Sequence, residues 1–475
     1  MNERAALPGW WPAGRDFGAG TLAVHDPYLD HHIADVPVAS AADVDAAFEE
    51  ARRHLPPPPP VERAEVLERA AALVRERADD FARVIALEAG KPLTQAHGEV
   101  MRAVDTLTFS AVEARRLGGD LVPMESSHAG VGTLGMVIRQ PIGIVGAISP
   151  FNFPLNLVAH KLGPAIAAGC PVVLKPASAT PLSALGLAAV LAEAGLPDGA
   201  LHVLPGAADE VGDAIVHHPD VALISFTGSQ AVGRAIQSAA PALPVLLELG
   251  NATPVIVAAD ADLDDATTRI ARSGYTHAGQ SCVSVQRVYV HRDVHDAFVE
   301  LLAAKVAELR FGDPLDPGVD VGPLISASAA DGVMRLISDA ESAGGIVRVG
   351  GSRIDGHVQP TLITNLSPEC DLSREEAFGP VIGVAAVDSV EDGAERADAA
   401  PFGLQAGIFT ARVDHAVRLA ERLCFGGVLI NETPTFRTDQ MPYGGVKGSG
   451  NTREGPAYAI REMTTEKLIV VRLPG

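Results

Sequence analysis

The stretch IVGAISPFNFPLNLVAHKLGPAIAAGCPVVLK (144–175) decides the fold of this chain of 475 residues. It opens with the apolar run IVGAIS, continues with a helical pattern from Asn156 to Ala168, and closes with a second apolar run, PVVLK. A strand, a helix and a strand in direct succession indicate a βαβ unit, in which the two strands lie parallel. Parallel sheets are covered by helices on both faces, so the sequence predicts the α/β class.

The same alternation continues through most of the chain downstream. It predicts two doubly wound parallel sheets with a boundary near Leu249, and a chain of this length is expected to hold two or three domains. The predicted elements after Lys175 are helix 181–194, strands LHVLPG and VALISFTG, helix 230–239, strand VQRVYV, helices 293–309 and 327–343, strand VIGVAAV with a helix from Val390, and strand GIFTA with helix 414–423.

The two ends of the chain lack this alternation. The opening segment, to about Pro37, is predicted to be loose and turn-rich, and an extended arm is predicted around Gly132–Gln140. Near the carboxyl end EKLIVVR (466–472) is a lone strand, which needs an edge to pair with in its own chain or in another subunit. Amphipathic helices are predicted between these segments at 41–54, 61–89 and 94–117.

Composition and charge exclude several classes of protein. The net charge of −22, from 37 basic and 59 acidic residues, argues against nucleic acid or an anionic membrane as the main partner. The four cysteines (170, 282, 370 and 424) show no CxxC or Cys/His metal spacing and no disulfide framework, so a reduced, cytoplasmic setting and no metal site are expected. No basic segment followed by an apolar run opens the chain, and no run is long enough to span a bilayer.

One cysteine lies in a setting that favours chemistry. In YTHAGQSCVSVQRVY (275–289), Cys282 follows a Gly-Gln-Ser turn, where a substrate can reach it, although a buried structural thiol is the alternative. Earlier, in LLELGNATPVIV, Glu248 lies at the end of an apolar strand. Burying a carboxylate there is costly and raises its pKa toward that of a general base. The two residues are therefore a candidate nucleophile and base.

A second candidate site lies at the end of another predicted strand. No G-x-G-x-x-G follows any of the predicted strands, but Phe226-Thr227-Gly228-Ser229 ends one of them, and Gly233 lies one turn into the next helix. Gly228 permits a tight turn, and Ser229 can cap the helix while free N–H groups face an anion. Plain helix capping is the alternative interpretation.

Seven motifs together resemble the aldehyde dehydrogenase superfamily along nearly the whole chain. The phrases YTHAGQSCVSVQRV, PTFR and REGPAYAIREMT are most similar to its lactaldehyde-dehydrogenase-like branch. The seven motifs, in the order of the family, are SPFNFPLNLVAHKLGPAIAAG (149–169), VVLKPAS (172–178), FTGSQAVG (226–233), LELGN (247–251), GQSC (279–282), EEAFGP (375–380) and MPYGGVKGSG (441–450).

The resemblance implies an aldehyde dehydrogenase-like fold, with two doubly wound parallel-sheet domains and a small β oligomerisation arm. It also implies a homodimer or homotetramer joined through that arm. The implied parts are a dinucleotide-binding domain (1–123 and 142–248), a catalytic domain (249–450) and oligomerisation segments (124–141 and 451–475).

The resemblance gives the candidate pair its roles. Cys282 would be the nucleophile that attacks the aldehyde, and Asn152 would offer its side-chain amide, with the Cys282 N–H, to the oxyanion. After hydride passes to nicotinamide, Glu248 would activate the water that hydrolyses the thioester to a carboxylic acid. Lys161 and Glu454 match a pair that relays protons from the base, and a surface salt bridge is the alternative for each.

The cofactor implied by the resemblance is NADP or NAD. Ser178 stands where many NAD-preferring members carry a glutamate that binds the adenosine ribose and repels a 2′-phosphate. A serine removes the repulsion and leaves a hydrogen-bond donor, so NADP is expected to serve at least as well as NAD. Phe151 stands where Trp is more common, and Asn251 replaces a second Gly with no assigned role. The implied cofactor-binding residues are Ser149, Pro150, Phe151, Lys175, Ser178, Gly228, Ser229, Gly233, Glu376 and Phe378.

The expected substrate is a small polar aldehyde, similar to lactaldehyde or a semialdehyde. Arg102 and Arg437 match positions that line the substrate tunnel, where an arginine would bind an anionic tail, and His160 is nearby in the order of the motifs. Relatives that use phosphorylated aldehydes often have Arg before the nucleophile, and here that residue is Ser281. The alternative interpretation is that both arginines are solvated or paired with acidic residues.

Two other classes of function stay open from the sequence. One is a cysteine hydrolase or acyl-transfer enzyme that uses Cys282 without redox chemistry, and the other is a non-catalytic protein on the same fold. The presence of Cys282, Glu248 and Asn152 together argues against the second, and Glu248 favours release of a free acid.

Overall fold

The computed structural model describes residues 6–12, 14–15 and 17–474. Residues 1–5, 13, 16 and 475 of the expected segments lie outside this description. The amino-terminal segment is more regular than expected, because strands β1 (Thr21–His25) and β2 (His32–Pro37) pair as an antiparallel hairpin. Val24 and Val36 point into the core from this hairpin and hold it in place.

Four helices follow the hairpin. The predicted helix 61–89 is divided at Arg77, whose backbone leaves the helical region at φ −101° and ψ 24°. A left-handed residue, Gly90 at φ 68°, ends the third helix, and a side chain there would lie 2.7 Å from Pro323. The helices are α1 (Ala41–Arg53), α2 (Pro60–Glu76), α3 (Ala78–Ala89) and α4 (Leu93–Arg116).

The first large sheet has five parallel strands in the order β7-β6-β5-β8-β9. The chain runs outward from β5 in one direction, then returns to the other side of β5 with β8, so the winding reverses between these two strands. In such sheets ligands bind in the crevice at the carboxyl ends of the strands where the winding reverses. The elements are β5 (Ile144–Ile148), α5 (Asn156–Ala168), β6 (Val172–Lys175), α6 (Leu182–Glu193), β7 (Leu201–Val203), α7 (Asp213–His217), β8 (Val221–Thr227), α8 (Gln230–Ala239) and β9 (Val245–Glu248).

The second large sheet has seven strands in the order β12-β15-β16-β11-β10-β17-β18, and β12 alone among them runs antiparallel to its neighbour. Helix α9 was not predicted from the sequence, although Asp262 caps it by accepting hydrogen bonds from two backbone N–H groups. The elements are β10 (Thr253–Val257), α9 (Leu263–Tyr275), β11 (Val285–His291), α10 (His295–Ala307), α11 (Ala327–Ser342), β12 (Ile346–Val349), the hairpin β13 (Arg353–Ile354) and β14 (His357–Val358), β15 (Thr361–Thr364), α12 (Asp371–Arg374), β16 (Val381–Val387), α13 (Val390–Asp398), β17 (Gln405–Phe409), α14 (Val413–Ala420) and β18 (Gly427–Ile430).

The chain changes sheets between Glu248 and Thr253, next to the boundary expected at Leu249. The carboxyl ends of the first sheet therefore meet the loops that enter the second. Two hydrogen bonds show this contact: Asn152 Nδ2 donates to Gln280 O at 2.9 Å, and Asn251 N donates to Glu376 Oε1 at 3.0 Å.

The expected arm and the lone carboxyl-terminal strand pair with each other. Strand β19 (Thr464–Arg472) lies antiparallel along the whole of β4 (Thr133–Pro141), and β3 (Leu121–Val122) completes a separate three-stranded sheet. The expected segment 451–475 divides in two, because helix α15 (Pro456–Glu462) packs on α4 and α5 of the first domain. No helix within 6–12, 14–15 and 17–474 is long and apolar enough to cross a membrane.

Candidate active site

A strained turn carries Cys282. Three consecutive residues before it, His277, Ala278 and Gly279, have positive φ angles of 51°, 53° and 73°. At Gly279 a side chain is excluded, since a Cβ would lie 2.0 Å from Gly379 O. Gln280 then fastens the turn: its Nε2 donates to His277 O at 3.1 Å, and its Oε1 accepts from Ile325 N at 2.8 Å. This fixed turn holds the cysteine between the two sheets.

The Cys282 thiol is half-buried and in contact with Tyr443. Its Sγ lies 2.8 Å from Tyr443 Oη, a pairing of residues 161 positions apart. Burial raises the pKa of the Cys282 thiol to about 12, helped by the Glu376 and Glu248 carboxylates, while Tyr443 and Arg437 act in the opposite direction. The thiol is therefore protonated at rest and needs a base to become a nucleophile.

Asn152 is brought to this thiol from the other sheet. It is buried, and one N–H of its side-chain amide is used by the Gln280 carbonyl two residues before Cys282. A primary amide has a second N–H. The contact supports the expected oxyanion donor, because a fixed amide beside the nucleophile is what such a donor requires.

The Glu248 carboxyl is buried at the end of β9. Neither of its oxygens has a hydrogen-bond partner within the described part of the chain. Burial raises its pKa well above the ordinary value, and the Glu454 charge raises it further, against Arg437 and Lys161. A buried carboxyl with free lone pairs and a raised pKa is suited to act as a general base.

Lys161 and Glu454 are both buried, so the surface salt-bridge alternative is wrong. Lys161 Nζ donates to Ser225 Oγ at 3.1 Å and to Thr227 Oγ1 at 2.7 Å, and burial lowers its pKa to about 8. The ion partner of Glu454 is Arg437, at 2.8 Å. Burial alone would raise the pKa of Glu454, but Arg437, His160 and Lys161 hold it below the ordinary value.

The expected substrate arginines are paired with carboxylates, as their alternative interpretation stated. Arg102 donates from Nε and Nη2 to Asp439, at 3.2 and 2.8 Å. Arg437 is deeper: it binds Glu454, its Nη2 lies 3.1 Å from His160 Nε2, and its guanidinium stacks on the Tyr443 ring, 3.8 Å from the centroid.

Asp439 connects these residues. Besides Arg102 it contacts His160 Nε2 at 2.9 Å, and burial with the nearby Arg437 lowers the pKa of His160. Burial would raise the pKa of Asp439, but His160 and Arg102 hold it well below its usual range. A continuous polar network thus runs from the half-buried Arg102 to Cys282. Ser281 lies beside the nucleophile with its hydroxyl turned back to the Val283 N–H at 3.4 Å.

The crevice at the carboxyl ends of β5, β6 and β8 contains most of the expected cofactor residues. Ser149 N donates to Lys175 O at 3.1 Å, which ties the loop Ser149-Pro150-Phe151 to the end of β6. Ser229 caps α8 by accepting from Val232 N at 3.4 Å, a contact that the anion-site and the plain-capping interpretations share. Gly228 and Gly233 lie at the same helix end, where side chains would strike Phe226 and Leu249.

Two of the cofactor residues expected in this crevice differ in whether they keep a hydrogen-bond donor that is not used within the described part of the chain. Lys175 Nζ donates only to Pro176 O, at 3.2 Å, among the described residues. Ser178 was expected to leave a hydrogen-bond donor for a phosphate. That prediction is wrong, because its hydroxyl already donates to Gly206 O at 2.9 Å.

The Glu376 carboxylate reaches the same region from the second sheet and accepts from the Asn251 N–H. Burial raises the pKa of Glu376 to about 7. Phe378 has a φ of 46° and meets Phe151 edge to face at 5.8 Å, so the two aromatic rings bridge the sheets. A buried lysine without a carboxylate partner, a helix N-terminus and two aromatic rings at one switch point fit a nicotinamide dinucleotide.

Two residues of this network were missed by the sequence prediction. Tyr443 lies in the quoted motif MPYGGVKGSG, and Asp439 lies just before it, but no spacing indicates that either reaches the site. Asn251 donates from Nδ2 to Thr253 Oγ1 at 2.9 Å, and Thr253 in turn donates to Cys282 O at 3.1 Å. Its backbone φ is not positive, so glycine is not required there.

The fold and the site place a half-buried cysteine thiol between two α/β sheets, beside a crevice whose residues fit a dinucleotide. A model of the "Aldehyde dehydrogenase family" matches residues 15–469, and the chain belongs to that family. It is an NAD(P)-dependent oxidoreductase that acts on aldehydes.

Individual proteins agree with this assignment. A 3-sulfolactaldehyde dehydrogenase of Priestia aryabhattai is 42% identical over 456 residues, which cover 96% of each chain. A lactaldehyde dehydrogenase of Methanocaldococcus jannaschii is 37% identical over 95% of this chain and 97% of its own. The crystal structure of aldehyde dehydrogenase 21 from Physcomitrella patens, in complex with the reaction product succinate, superposes with a TM-score of 0.94 at 37% identity over 98% of each chain. That of glyceraldehyde-3-phosphate dehydrogenase GapN from Methanocaldococcus jannaschii, complexed with NADP, gives 0.92 at 37% identity over 95% of this chain and 99% of its own.

Proposed function

We propose that this enzyme oxidises a small polar aldehyde with an anionic tail, of the 3-sulfolactaldehyde class, to its carboxylic acid. The observation that carries the chemistry is the meeting of Cys282, Glu248 and Asn152 between the sheets. The names of the relatives, which include 3-sulfolactaldehyde and lactaldehyde dehydrogenases, and the succinate held by a solved relative support the substrate class.

The proposed mechanism gives Cys282 the attack, Asn152 the oxyanion, and Glu248 the proton transfers of both half-reactions. Glu248 takes the proton of the Cys282 thiol, and the sulfur attacks the aldehyde carbon while the carbonyl electron pair moves to oxygen. The Asn152 amide and the Cys282 N–H bind that oxyanion. When bound, the nicotinamide ring accepts the hydride. After Glu248 has passed the thiol proton on to Lys161 and Glu454, it removes a proton from water, which attacks the thioester and releases the acid with the thiolate as leaving group.

Two buried charged groups beside the base, one cationic and one anionic, support a route for the proton. Lys161 and Glu454 both change the pKa of Glu248, in opposite directions. Because Lys161 has its own pKa lowered to about 8, it can exchange a proton near neutral pH. We assign these two residues to the relay on this ground.

The anionic tail is assigned to Arg102. Its Nε and Nη2 are on Asp439, whereas Nη1 makes no hydrogen bond within the described residues. The side chain is 28% exposed, so that N–H group can be reached from solvent. Arg437, at 7% exposure and paired with Glu454, is assigned to positioning instead. Ser281 and His160 are assigned to the wall between the tail and the thiol.

The test of the catalytic roles compares two variants in rapid-mixing experiments. Cys282→Ala should abolish even a single turnover. Glu248→Gln should keep only a slowed burst of cofactor reduction, because the base also takes the thiol proton, while steady turnover collapses, because deacylation follows hydride transfer. Full steady turnover in Glu248→Gln would refute the assignment of the base.

The test of the substrate compares Michaelis constants for 3-sulfolactaldehyde, lactaldehyde, succinic semialdehyde, glyceraldehyde 3-phosphate and a neutral medium-chain aldehyde. Arg102→Ala should raise KM for the anionic aldehydes about tenfold or more, by loss of a charged hydrogen bond, and leave neutral aldehydes unchanged. Preference for the neutral aldehyde, unaffected by Arg102→Ala, would contradict the proposed substrate class.

NADP is proposed to serve at least as well as NAD. The support is a cation, Lys175, beside a neutral Ser178, with no carboxylate at that position to repel a 2′-phosphate. Ser178→Glu should move the preference toward NAD. A wild-type specificity constant about tenfold higher for NAD than for NADP would contradict the proposal.

We further propose a cytoplasmic homodimer or homotetramer joined through the three-stranded sheet. Its strands expose apolar side chains, among them Leu134, Ile138, Leu468 and Val470. An exposed apolar patch on a sheet is typical of an interface with another subunit. Residues 124–141 and 464–474 are thus assigned to assembly, 1–123 and 142–248 to dinucleotide binding, and 249–450 to catalysis. The reduced state of the cysteines supports the compartment. A monomer in light scattering at micromolar concentration would contradict the assembly.

A further inference from the structure

The hydroxyl of Tyr443 is in direct contact with the sulfur of Cys282. The two atoms lie 2.8 Å apart, and Tyr443 is 3% exposed, so water does not compete for this contact. We propose that Tyr443 is a catalytic residue whose hydroxyl donates to the Cys282 sulfur and stabilises the thiolate. The inference rests on the proposed function, in which Cys282 is the nucleophile.

The direction of the hydrogen bond follows from the two protons. Burial raises the pKa of the Tyr443 hydroxyl well above its ordinary value, with the Cys282 charge adding to it, so the phenol keeps its proton. A thiolate has no proton to donate. Once the thiol is ionised, therefore, only Tyr443 can be the donor, and a hydrogen bond to a charged acceptor is stronger than one to a neutral acceptor.

The other charged groups around the sulfur leave this task to Tyr443. Two carboxylates, Glu376 and Glu248, face Cys282 and disfavour its negative charge. A cation that favours it, Arg437, acts through space, since its contacts within the described chain are with Glu454, His160 and the face of the Tyr443 ring. Tyr443 is the one group that both touches the sulfur and favours the thiolate within the described chain.

Arg437 also fixes the orientation of the phenol. Its guanidinium lies over the ring, 3.8 Å from the centroid, and Glu454 holds it there. A ring covered by a buried ion pair cannot swing away from the sulfur. Arg437 is thus a positioning residue for Tyr443.

The contact serves two steps of the proposed reaction. In the attack, the sulfur lone pair forms the C–S bond and the carbonyl pair moves to oxygen, while Tyr443 keeps its proton. In deacylation the C–S bond breaks, its electron pair returns to sulfur, and the same hydroxyl stabilises the thiolate that leaves. Stabilising the thiolate enlarges its population more than it lowers its nucleophilicity, because the Brønsted coefficient for thiols is roughly 0.4–0.5.

The test measures the pKa of Cys282 without aldehyde or cofactor. Wild type, Tyr443→Phe and, as a matched control, Tyr458→Phe are alkylated with iodoacetamide across the alkaline pH range, and the Cys282 peptide is quantified by mass spectrometry. Tyr458 is partly exposed and outside the network, and a Cys424→Ser background removes the exposed thiol. Loss of a hydrogen bond to a charged group should raise the pKa of Cys282 in Tyr443→Phe by about one to two units, which moves the midpoint and lowers the alkylation rate at a fixed pH below it about ten- to hundredfold.

An unchanged midpoint in folded Tyr443→Phe would overturn the proposal, since a residue that only fills space would not move it. A second measurement covers a variant that fails to fold. Replacing all five tyrosines of the wild type with 3-fluorotyrosine, a more acidic phenol, should lower the midpoint, and no change would also overturn the role.

Failure of this proposal and failure of the proposed function give different results. An enzyme that reduces cofactor normally but shows no shift in the alkylation midpoint would remove only the role of Tyr443. A protein that reduces no cofactor with any aldehyde, yet shows the shift, would remove the function and keep the contact.

Discussion

The buried ion pair between Arg437 and Glu454 gives the sharpest prediction about stability. The atoms are 2.8 Å apart and the side chains are only 7% and 8% exposed. Arg437→Met keeps the length of the apolar stem but leaves the Glu454 carboxylate buried without its cation. Breaking a buried pair in this way costs about 3–5 kcal/mol. The substitution also removes the contact between Arg437 and the Tyr443 ring. No separate free energy is added for that contact, because the contributions of groups in contact are not additive.

Urea unfolding followed by circular dichroism, at one protein concentration, measures this cost as the shift in midpoint multiplied by the mean slope. The matched control is Arg418→Met. Arg418 and Asp414 are also 2.8 Å apart, but their side chains are 62% and 61% exposed. Solvent and salt screen such a pair, so the midpoint of the control should stay within experimental error.

The pH dependence provides a second check of the same reasoning. The folded pKa of Glu454 is below its ordinary value, so the pair stabilises the wild type above that ordinary value and loses this contribution as the pH falls through the folded value. In Arg437→Met the unpaired carboxyl has a raised pKa and takes up a proton earlier on acidification. The difference between wild type and variant should therefore be largest near neutral pH and shrink toward acid. A cost for Arg437→Met no larger than that of the surface control, or one that grows toward acid, would refute the reasoning.

Three further predictions concern catalysis and folding. Asn152→Ala should lower kcat/KM by about 10²–10³, the loss of one oxyanion donor, in steady-state assays, and a loss below about tenfold would contradict that role. Gly279→Ala should give insoluble or inactive protein, because its φ is 73° and a methyl group would lie 2.0 Å from a backbone carbonyl oxygen. Gly332→Ala, in an open helical position, should leave the melting temperature equal or higher. Glu454→Gln should move the acidic limb of the kcat profile to lower pH, because the Glu454 charge raises the pKa of Glu248, and a limb that moves to higher pH would contradict this coupling.

The sequence by itself determined the class of fold and the ends of several elements. Helices α5 and α8 begin and end at the residues predicted for them, since their apolar periodicity is bounded by a glycine turn or a serine cap. The division near Leu249 was also determined, because local strand and helix patterns change there. The chemical types of Cys282 and Glu248, set in their motifs, were sufficient to indicate a nucleophile and a base.

Only the tertiary structure decided which side chains neutralise each other. Arg102 and Arg437 were expected either to line a substrate tunnel or to pair with acids, and the sequence contains 59 acidic residues from which it cannot choose. The contact of Tyr443 with a thiol 161 positions earlier likewise has no local signal. Pairings of this kind depend on how two sheets approach each other, which is set by the sum of many long-range contacts. Periodicity and spacing describe only near neighbours along the chain, so they indicate the residues of the site but not their partners.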